Sequence, residues 1–309
     1  MRAVIVQEYG STPVVAEVPT PQPEPRQVLI RLQAAGMQTL DYLLATGAWR
    51  PAPATFPMVL GADGAGVVER VGEGATRFAP GEPVFGQLFL PPIGSTGTYA
   101  EYVAVPQDAP LAQVPNGLDP VVAAALPTAG MAGLSLIEQL GPVNDKTVLI
   151  VGAGGGVGSF ATQFAVTAGA QVIAVERASE AGRLKEYGAV ETVDHTAVPV
   201  ADAVRQAHRD GIDALIDVAS DADGFSALAG LVRRGGTAIT TQSFVFDAKK
   251  LVTDGVTGIN FALQASSPLL ERVADAVVAG RIVAPPITRI TLEETPGHWP
   301  AKGKTVITL

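Results

Sequence analysis

Cysteine is absent from the 309 residues. That removes disulfides, thiolate nucleophiles and every cysteine-containing zinc site at once. Histidine is nearly as scarce: His195, His208 and His298 are the three present, spaced too widely for an H-x-x-x-H or H-E-x-x-H arrangement. No G-x-S-x-G elbow occurs, so a serine hydrolase has no support. Charged residues make up 17% of the chain and sum to −9, with no cluster of Lys and Arg. A phosphate backbone requires a basic face, so nucleic acid is not expected as a partner. Long apolar runs are missing too. The nearest, residues 121–137, is broken by Pro127, Gly130 and Gly133 and falls short of the roughly 20 residues a spanning helix needs. No membrane partner is expected. The opening MRAVIVQEYG places polar and acidic groups before any sustained apolar stretch, unlike a signal peptide, and cytoplasm is the expected location.

Apolar residues reach 47%, and the length suits two domains rather than one core. The first third reads as short strands, at residues 3–6, 27–32 and 98–105, punctuated by the proline-rich segment 19–25 and by Gly61, Gly64 and Gly66. That pattern predicts a small β-barrel. From Asp119 onward helical and β patterns alternate. Strands are expected at 147–151, 171–175, 214–218 and 237–240, with a helix over 160–168 that Gly169 ends and another between the last two strands. Ser179 is expected to cap a helix running to Tyr187, with Gly188 beyond it, and Ser267-Pro268 to open another that reaches Ala279. Strand–helix alternation predicts a doubly wound parallel sheet. The expected α/β organisation is a barrel domain over 1–118 and 265–309 and a dinucleotide-binding domain over 119–264, with ligands in the cleft between them.

The segment Ala153-Gly154-Gly155-Gly156-Val157-Gly158 carries the sharpest signal. It reads A-x-G-x-x-G, follows an apolar strand and opens a helix. Gly155 and Gly156, with Val157 beside them, would let the backbone reach a pyrophosphate, and Gly158 would let the helix approach the sheet. Exposed N–H groups at the helix start favour that anion. Glu176 stands 18 positions after Gly158, at the end of the next strand, where a carboxylate accepts from ribose hydroxyls. The bland reading is a glycine-rich turn in any α/β protein; all three contexts favour the dinucleotide.

Four further segments resemble one family. FPMVLGADGAGVV (56–68) is similar to F-P-x-x-x-G-x-D-x-A-G-x-V, and RVGEGATRFAPG (70–81) to its continuation, with Glu82 in place of Asp. TYAEYVAVP (98–106) is similar to G-x-Y-A-E-Y-x-x-V-P, and AALPTAGMAG (124–133) to A-x-L-P-x-A-x-x-T-A. Together they resemble the zinc-free medium-chain dehydrogenase/reductases of the quinone oxidoreductase and alkenal reductase type. The resemblance implies a GroES-like β-barrel joined to a Rossmann domain, NAD(P)H as cofactor, hydride delivered across the cleft, and a homodimer. Zinc members carry histidine where Ala62 stands, so no metal is expected. Without a metal, the implied acceptor is already electron-poor: a quinone, or an enone whose developing enolate needs only a hydrogen-bond donor.

Tyr42, in QTLDY, matches the family's tyrosine and is a candidate donor to that oxygen; aromatic packing on a helix explains it equally. Asp41 and Asp63 read as structural caps or loop hydrogen-bonders. Gln38 stands where the family has Asn and Ala132 where it has Thr, positions that face the nicotinamide or substrate, so a reshaped pocket is expected with Gln38 in it. His195 matches a family tyrosine beside the adenine, with an exposed loop histidine as the alternative. His208 is expected to be solvated, and His298 shows no partner in its turn. Gln242 and Ser243 follow a strand end where ligands bind, and Phe261 matches the strand beside the nicotinamide, though core packing also accounts for it. Arg177 follows Glu176 and is a candidate for a 2′-phosphate, while Arg183 and Lys185 lie further along the next helix. Glu176 tilts the expectation slightly toward NADH. Two further readings stay open: an enoyl reductase acting on a biosynthetic intermediate, and a nucleotide-binding protein without turnover.

Overall fold

Most strands of the first third are buried over consecutive residues, and they build an antiparallel framework. In the computed structural model, which describes every residue except Phe89, Ala301 and Lys302, the chain forms two compact units. One comprises Met1–Met131 with Ala265–Leu309, the other Ala132–Gln264. Strand β1 (Arg2–Val6) lies between β2 (Val14–Glu17) and β4 (Met58–Val59). The long β3 (Gln27–Gly36) is followed by helix α1 (Thr39–Thr46) and then by β5 (Asp63–Val71), β6 (Pro83–Gln87), β7 (Tyr102–Pro106) and β8 (Leu111–Gln113). Val28, Ile30 and Leu32 of β3 pack with Val68, Val84, Val103 and Leu111 in one core cluster. Ala35, just beyond, joins Val4, Met58 and Tyr99 in another. β3 runs four residues past the expected 27–32 because Ala34, Ala35 and Gly36 find partners in Ala65, Gly64 and Asp63 of β5.

Helix α2 (Pro120–Ala125), capped by the Asp119 carboxylate on the Val121 N–H at 2.7 Å, packs against β3 and β5. The sequence places the domain boundary before Asp119; the compact units divide at Met131/Ala132, within helix α3 (Pro127–Leu140). Nothing in local composition marks that point, since the helix continues through it.

The second unit alternates as expected: β9 (Thr147–Val151), α4 (Gly156–Thr167), β10 (Gln171–Glu176), α5 (Ala181–Glu186), β11 (Glu191–Asp194), α6 (Val200–Ala207), β12 (Ile212–Asp217), α7 (Ala222–Ala229), β13 (Val232–Thr240) and β14 (Thr257–Asn260). The strands are parallel in the order β11-β10-β9-β12-β13-β14. The order reverses between β9 and β12, which is where open α/β sheets bind ligands. Leu149, Ile173, Leu215, Phe225 and Leu228 share its core. Ser179 does not cap the helix after β10. It lies inside a 3-10 turn, Ala178–Glu180, and α5 starts behind Glu180 without a side-chain cap.

The chain then returns to the first unit through α8 (Ser267–Val278), β15 (Ile287–Thr291) and β16 (Lys304–Thr308). The cap of α8 is Ser266, whose Oγ accepts from the Leu269 N–H at 3.4 Å, one residue before the expected start. β16 pairs with β3 and completes a seven-stranded sheet. Among the described residues no helix is long and apolar enough to cross a membrane.

Candidate functional site

Each unit carries one polar constellation. In the second unit, β9 ends at Val151 and the chain turns through Gly152, whose φ of 77° is left-handed. A side chain there would also press on Val218 and Ala219. Gly152 and Ala153 donate their N–H groups to the Val175 carbonyl at 3.1 and 3.2 Å. Gly155 then serves as N-cap of α4 without any side-chain bond to the first-turn N–H groups, leaving them to an anion. A Cβ on Gly158 would fall 2.1 Å from the Gly152 carbonyl oxygen, so α4 leans on the loop at a distance that glycine alone permits. The glycine that turns the chain is therefore Gly152, one place ahead of the Ala153 with which the sequence motif begins. Val157 lies half-buried in the first turn of α4.

Register places the next components. β10 and β11 align Glu176 with Asp194, so His195 emerges beside the Glu176 side chain, with Nε2 3.8 Å from Oε1. Glu176 is held by two backbone donors: Gly154 N–H to Oε2 at 3.1 Å and Arg177 N–H to Oε1 at 3.2 Å. Arg183 reaches back to the loop as well, donating to the Gly154 carbonyl at 3.0 Å while pairing with Glu180 and Tyr187. The sequence could not show that reach, because it depends on how α5 folds back. Glu176 and His195 line a cavity of ≈ 470 Å³ with Gly152, Pro199, Val200 and Ala219. Its volume and mostly apolar walls suit a planar heteroaromatic ring.

Gln242, Ser243 and Phe261 gather at the ends of β13 and β14. Gln242 donates its amide to the Val218 carbonyl at 3.1 Å, and Ser243 its hydroxyl to the Phe261 carbonyl at 3.2 Å. Phe261 is buried and donates its N–H to the Thr240 carbonyl at 2.9 Å. Asp217, fully buried at the end of β12, carries no motif that marks it in the sequence. Its Oδ1 accepts from Ala219 and Ser220 N–H at 3.0 and 2.8 Å, shaping the loop that walls the cavity, and burial pushes its pKa up.

In the first unit Gln38 is the N-cap residue of α1, and Asp41 at N3 accepts from the Gln38 N–H at 2.9 Å. Tyr99, completely buried, donates its hydroxyl to the same Asp41 oxygen at 2.5 Å. Asp63 accepts from the Gln38 side-chain amide, from the Thr128 N–H at 3.0 Å and from the Thr128 hydroxyl at 2.6 Å. Thr128 in turn accepts from Gln87 at 2.7 Å. Lys304 of β16 is buried with them. Its ammonium has no hydrogen-bond partner among the described residues and lies over Gly36, 3.2 Å from where a Cβ would stand. Burial pushes the Asp41 pKa up to about 7, and the Asp63 charge adds to that rise. Burial raises Asp63 as well, opposed by the Lys304 charge and the Thr128 bonds, and it lowers Lys304. Both aspartates are thus structural hydrogen-bonders, but within one coupled buried network. The Gln38 amide is tied to Asp63. Tyr42, half-buried, sets its ring against Trp299 at 5.9 Å between centroids.

Two histidine expectations need correction. His208 is half-buried and bonds Glu191 through Nε2 at 2.9 Å, because the end of α6 folds over β11. His298 bonds the Glu294 carbonyl through Nδ1 at 3.0 Å, closing its 3-10 turn.

Residues 24–116 match the alcohol dehydrogenase GroES-like domain family and residues 156–268 the zinc-binding dehydrogenase family. An alcohol dehydrogenase of Geobacillus stearothermophilus is 30% identical over 264 residues, covering 77% of this chain and 76% of that protein. The quinone oxidoreductase of Homo sapiens is 30% identical over 249 residues, covering 79% and 73%. The crystal structure of an alcohol dehydrogenase superfamily protein from Novosphingobium aromaticivorans superposes with a TM-score of 0.87 at 27% identity, covering 100% and 99% of the two chains. The chain belongs to the medium-chain dehydrogenase/reductase family. Within it, the chain is of the quinone oxidoreductase type.

Among the described residues, the zinc of that second family's description meets no set of three or more donors. Zinc takes thiolate, imidazole or carboxylate ligands. Ala62 offers a methyl group, Asp63 is already engaged by Gln38 and Thr128, and each histidine is placed elsewhere. Among the described residues no group of three or more such side chains is poised to hold a metal.

Proposed function

We propose that the chain is a zinc-independent NAD(P)H reductase acting on quinones or α,β-unsaturated carbonyls. The observations that carry this reading are an anion-accepting glycine loop and cavity in one unit and, in the other, a polar cluster in which, among the described residues, no three metal-ligating side chains converge. Gly155 and Gly156 hold the pyrophosphate through backbone N–H groups, and the cavity beside Glu176 and His195 receives the adenosine end. When bound, the reduced nicotinamide supplies a hydride. Tyr42 donates a hydrogen bond to the oxygen on which negative charge develops, and the Gln38 amide, oriented by Asp63, helps position the acceptor. Glu176 favours NADH slightly, because a fixed carboxylate accepts from ribose hydroxyls and repels a 2′-phosphate.

The deciding assay follows NADH and NADPH oxidation against a panel of quinones, enones and simple alcohols, before and after exhaustive chelation. The expected result is turnover of quinones or enones, unchanged by the chelator, with kcat/KM somewhat higher for NADH. Loss of activity that zinc alone restores would overturn the reading.

Tyr42→Phe separates catalysis from packing, since it keeps the ring against Trp299. A lower kcat, by about tenfold to a hundredfold with little change in KM, is expected. A wild-type rate would return Tyr42 to a packing role.

A further inference from the structure

We propose that Lys304 is a positioning residue: its buried ammonium keeps Asp63 an anion, and that anion holds the Gln38 amide by its N–H end, so that one fixed face of the amide meets the acceptor. The inference rests on the reading of Gln38 as a group that positions the acceptor.

Lys304 opens β16 and is only 5% exposed, the one basic side chain among the buried described residues. No hydrogen bond ties its Nζ there. An ammonium withdrawn from water in this way is retained where an opposite charge stands near. The strand register supplies that charge. β3 and β5 set Asp63 opposite Gly36, and Nζ lies over Gly36, 3.2 Å from where a Cβ would stand. Glycine leaves the space open, since a Cβ would also fall 2.3 Å from the Ala124 carbonyl oxygen. In a dry interior the ammonium acts on the carboxylate by charge, without a direct bond.

The partners of Asp63 all present hydrogens. Its Oδ2 accepts from the Gln38 amide and from the Thr128 N–H at 3.0 Å, and its Oδ1 from the Thr128 hydroxyl at 2.6 Å. That hydroxyl already accepts from Gln87, so its own proton is committed to Asp63. A protonated carboxyl would set its O–H against one of these donors, whereas an anion satisfies all three. Burial raises the Asp63 pKa, and the Lys304 charge is the first of the influences opposing that rise. Burial holds the other carboxyl of the cluster, Asp41, up at about 7. Below that pH the cluster therefore contains one anion for its one cation. Without the cation, a neutral Asp63 could donate to the Gln38 carbonyl oxygen, and the amide could turn end for end.

The test compares the wild type with Lys304→Met and with the double variant Lys304→Met/Asp63→Asn. Asparagine has no charge to balance, and its Oδ1 still accepts from the Gln38 amide. With NADH and p-benzoquinone or cyclohexenone, whichever turns over, Lys304→Met should raise the acceptor KM about tenfold while 5′-AMP affinity stays unchanged. The double variant should return that KM to near the wild-type value, which a packing role for the lysine stem would not produce. Infrared difference spectra at about pH 6, where exposed carboxyls are ionised, should show a new protonated-carboxyl band in Lys304→Met that the double variant lacks. Lys304→Gln, neutral and closer in shape, takes the place of the methionine variant if that one does not fold. A folded neutral variant with no new band, or a raised KM that Asp63→Asn does not reverse, would overturn the role of Lys304 and leave Gln38 in place. A wild-type acceptor KM in Gln38→Ala would overturn the reading of Gln38 and the inference together.

Discussion

Gly155→Val should fold normally and lose nucleotide. Gly155 is extended at φ −73° and ψ 178°, a conformation open to any residue, and the nearest atom to an added Cβ is the Gly152 oxygen at 3.3 Å. The side chain would therefore project into the space above the bare N–H groups of α4, where a phosphate would sit. Affinity for 5′-AMP and NADH should fall by roughly a hundredfold or more, while the midpoint of thermal unfolding moves by only a few degrees. Gly158→Val is the contrasting control. Its Cβ would lie 2.1 Å from the Gly152 oxygen and 2.8 Å from the Ala153 Cα, backbone atoms that cannot step aside. That variant should lose several kcal/mol of stability, on the order of 3 or more, before binding is measured at all. Wild-type affinity in a folded Gly155→Val protein would remove the phosphate from this loop.

The second large effect concerns Asp41 and pH. Its pKa is about 7 in the fold, against 3.8 for the free carboxyl, chiefly because burial penalises the anion. The folded state therefore holds this proton more tightly than the unfolded chain does. Stability from the group is complete below about pH 4 and is lost as pH rises through about 7. A difference of about three pKa units corresponds to roughly 4 kcal/mol. Asp41→Asn keeps an oxygen to accept from the Tyr99 hydroxyl and the Gln38 N–H but carries no charge. Unfolding free energies of the two proteins, measured between about pH 4 and about pH 8, should diverge. The variant should gain on the wild type by up to about 4 kcal/mol as pH rises. A pH-independent difference would mean that the carboxyl does not titrate in this range. A divergence of opposite sign would mean that the anion is stabilised, with the buried Lys304 ammonium as its natural partner.

Much of the architecture was legible in the chain. TVLIV followed by a glycine-rich turn defines β9 and α4, since a buried parallel strand requires continuous apolar residues and a phosphate loop tolerates no side chains. Glu176 at the end of β10 was legible from spacing. What composition could not show is which polar residues meet. Gln38, Asp63, Gln87 and Thr128 are separated by 25 to 65 positions along the bonds that join them, yet form one hydrogen-bonded chain.

Local sequence thus determined several of the strands, the glycine turns and the two kinds of sheet, because propensity, periodicity and glycine's missing Cβ act within a few residues. Tertiary structure alone decided the electrostatics. Lys304 near the C-terminus is buried with Asp41 and Asp63 only because β16 lies beside the end of β3 that also pairs with the start of β5. His195 faces Glu176 only because β10 and β11 pair in that register. Desolvation and Coulomb interaction depend on separation in space and on burial, neither of which is encoded in the spacing of residues along a chain.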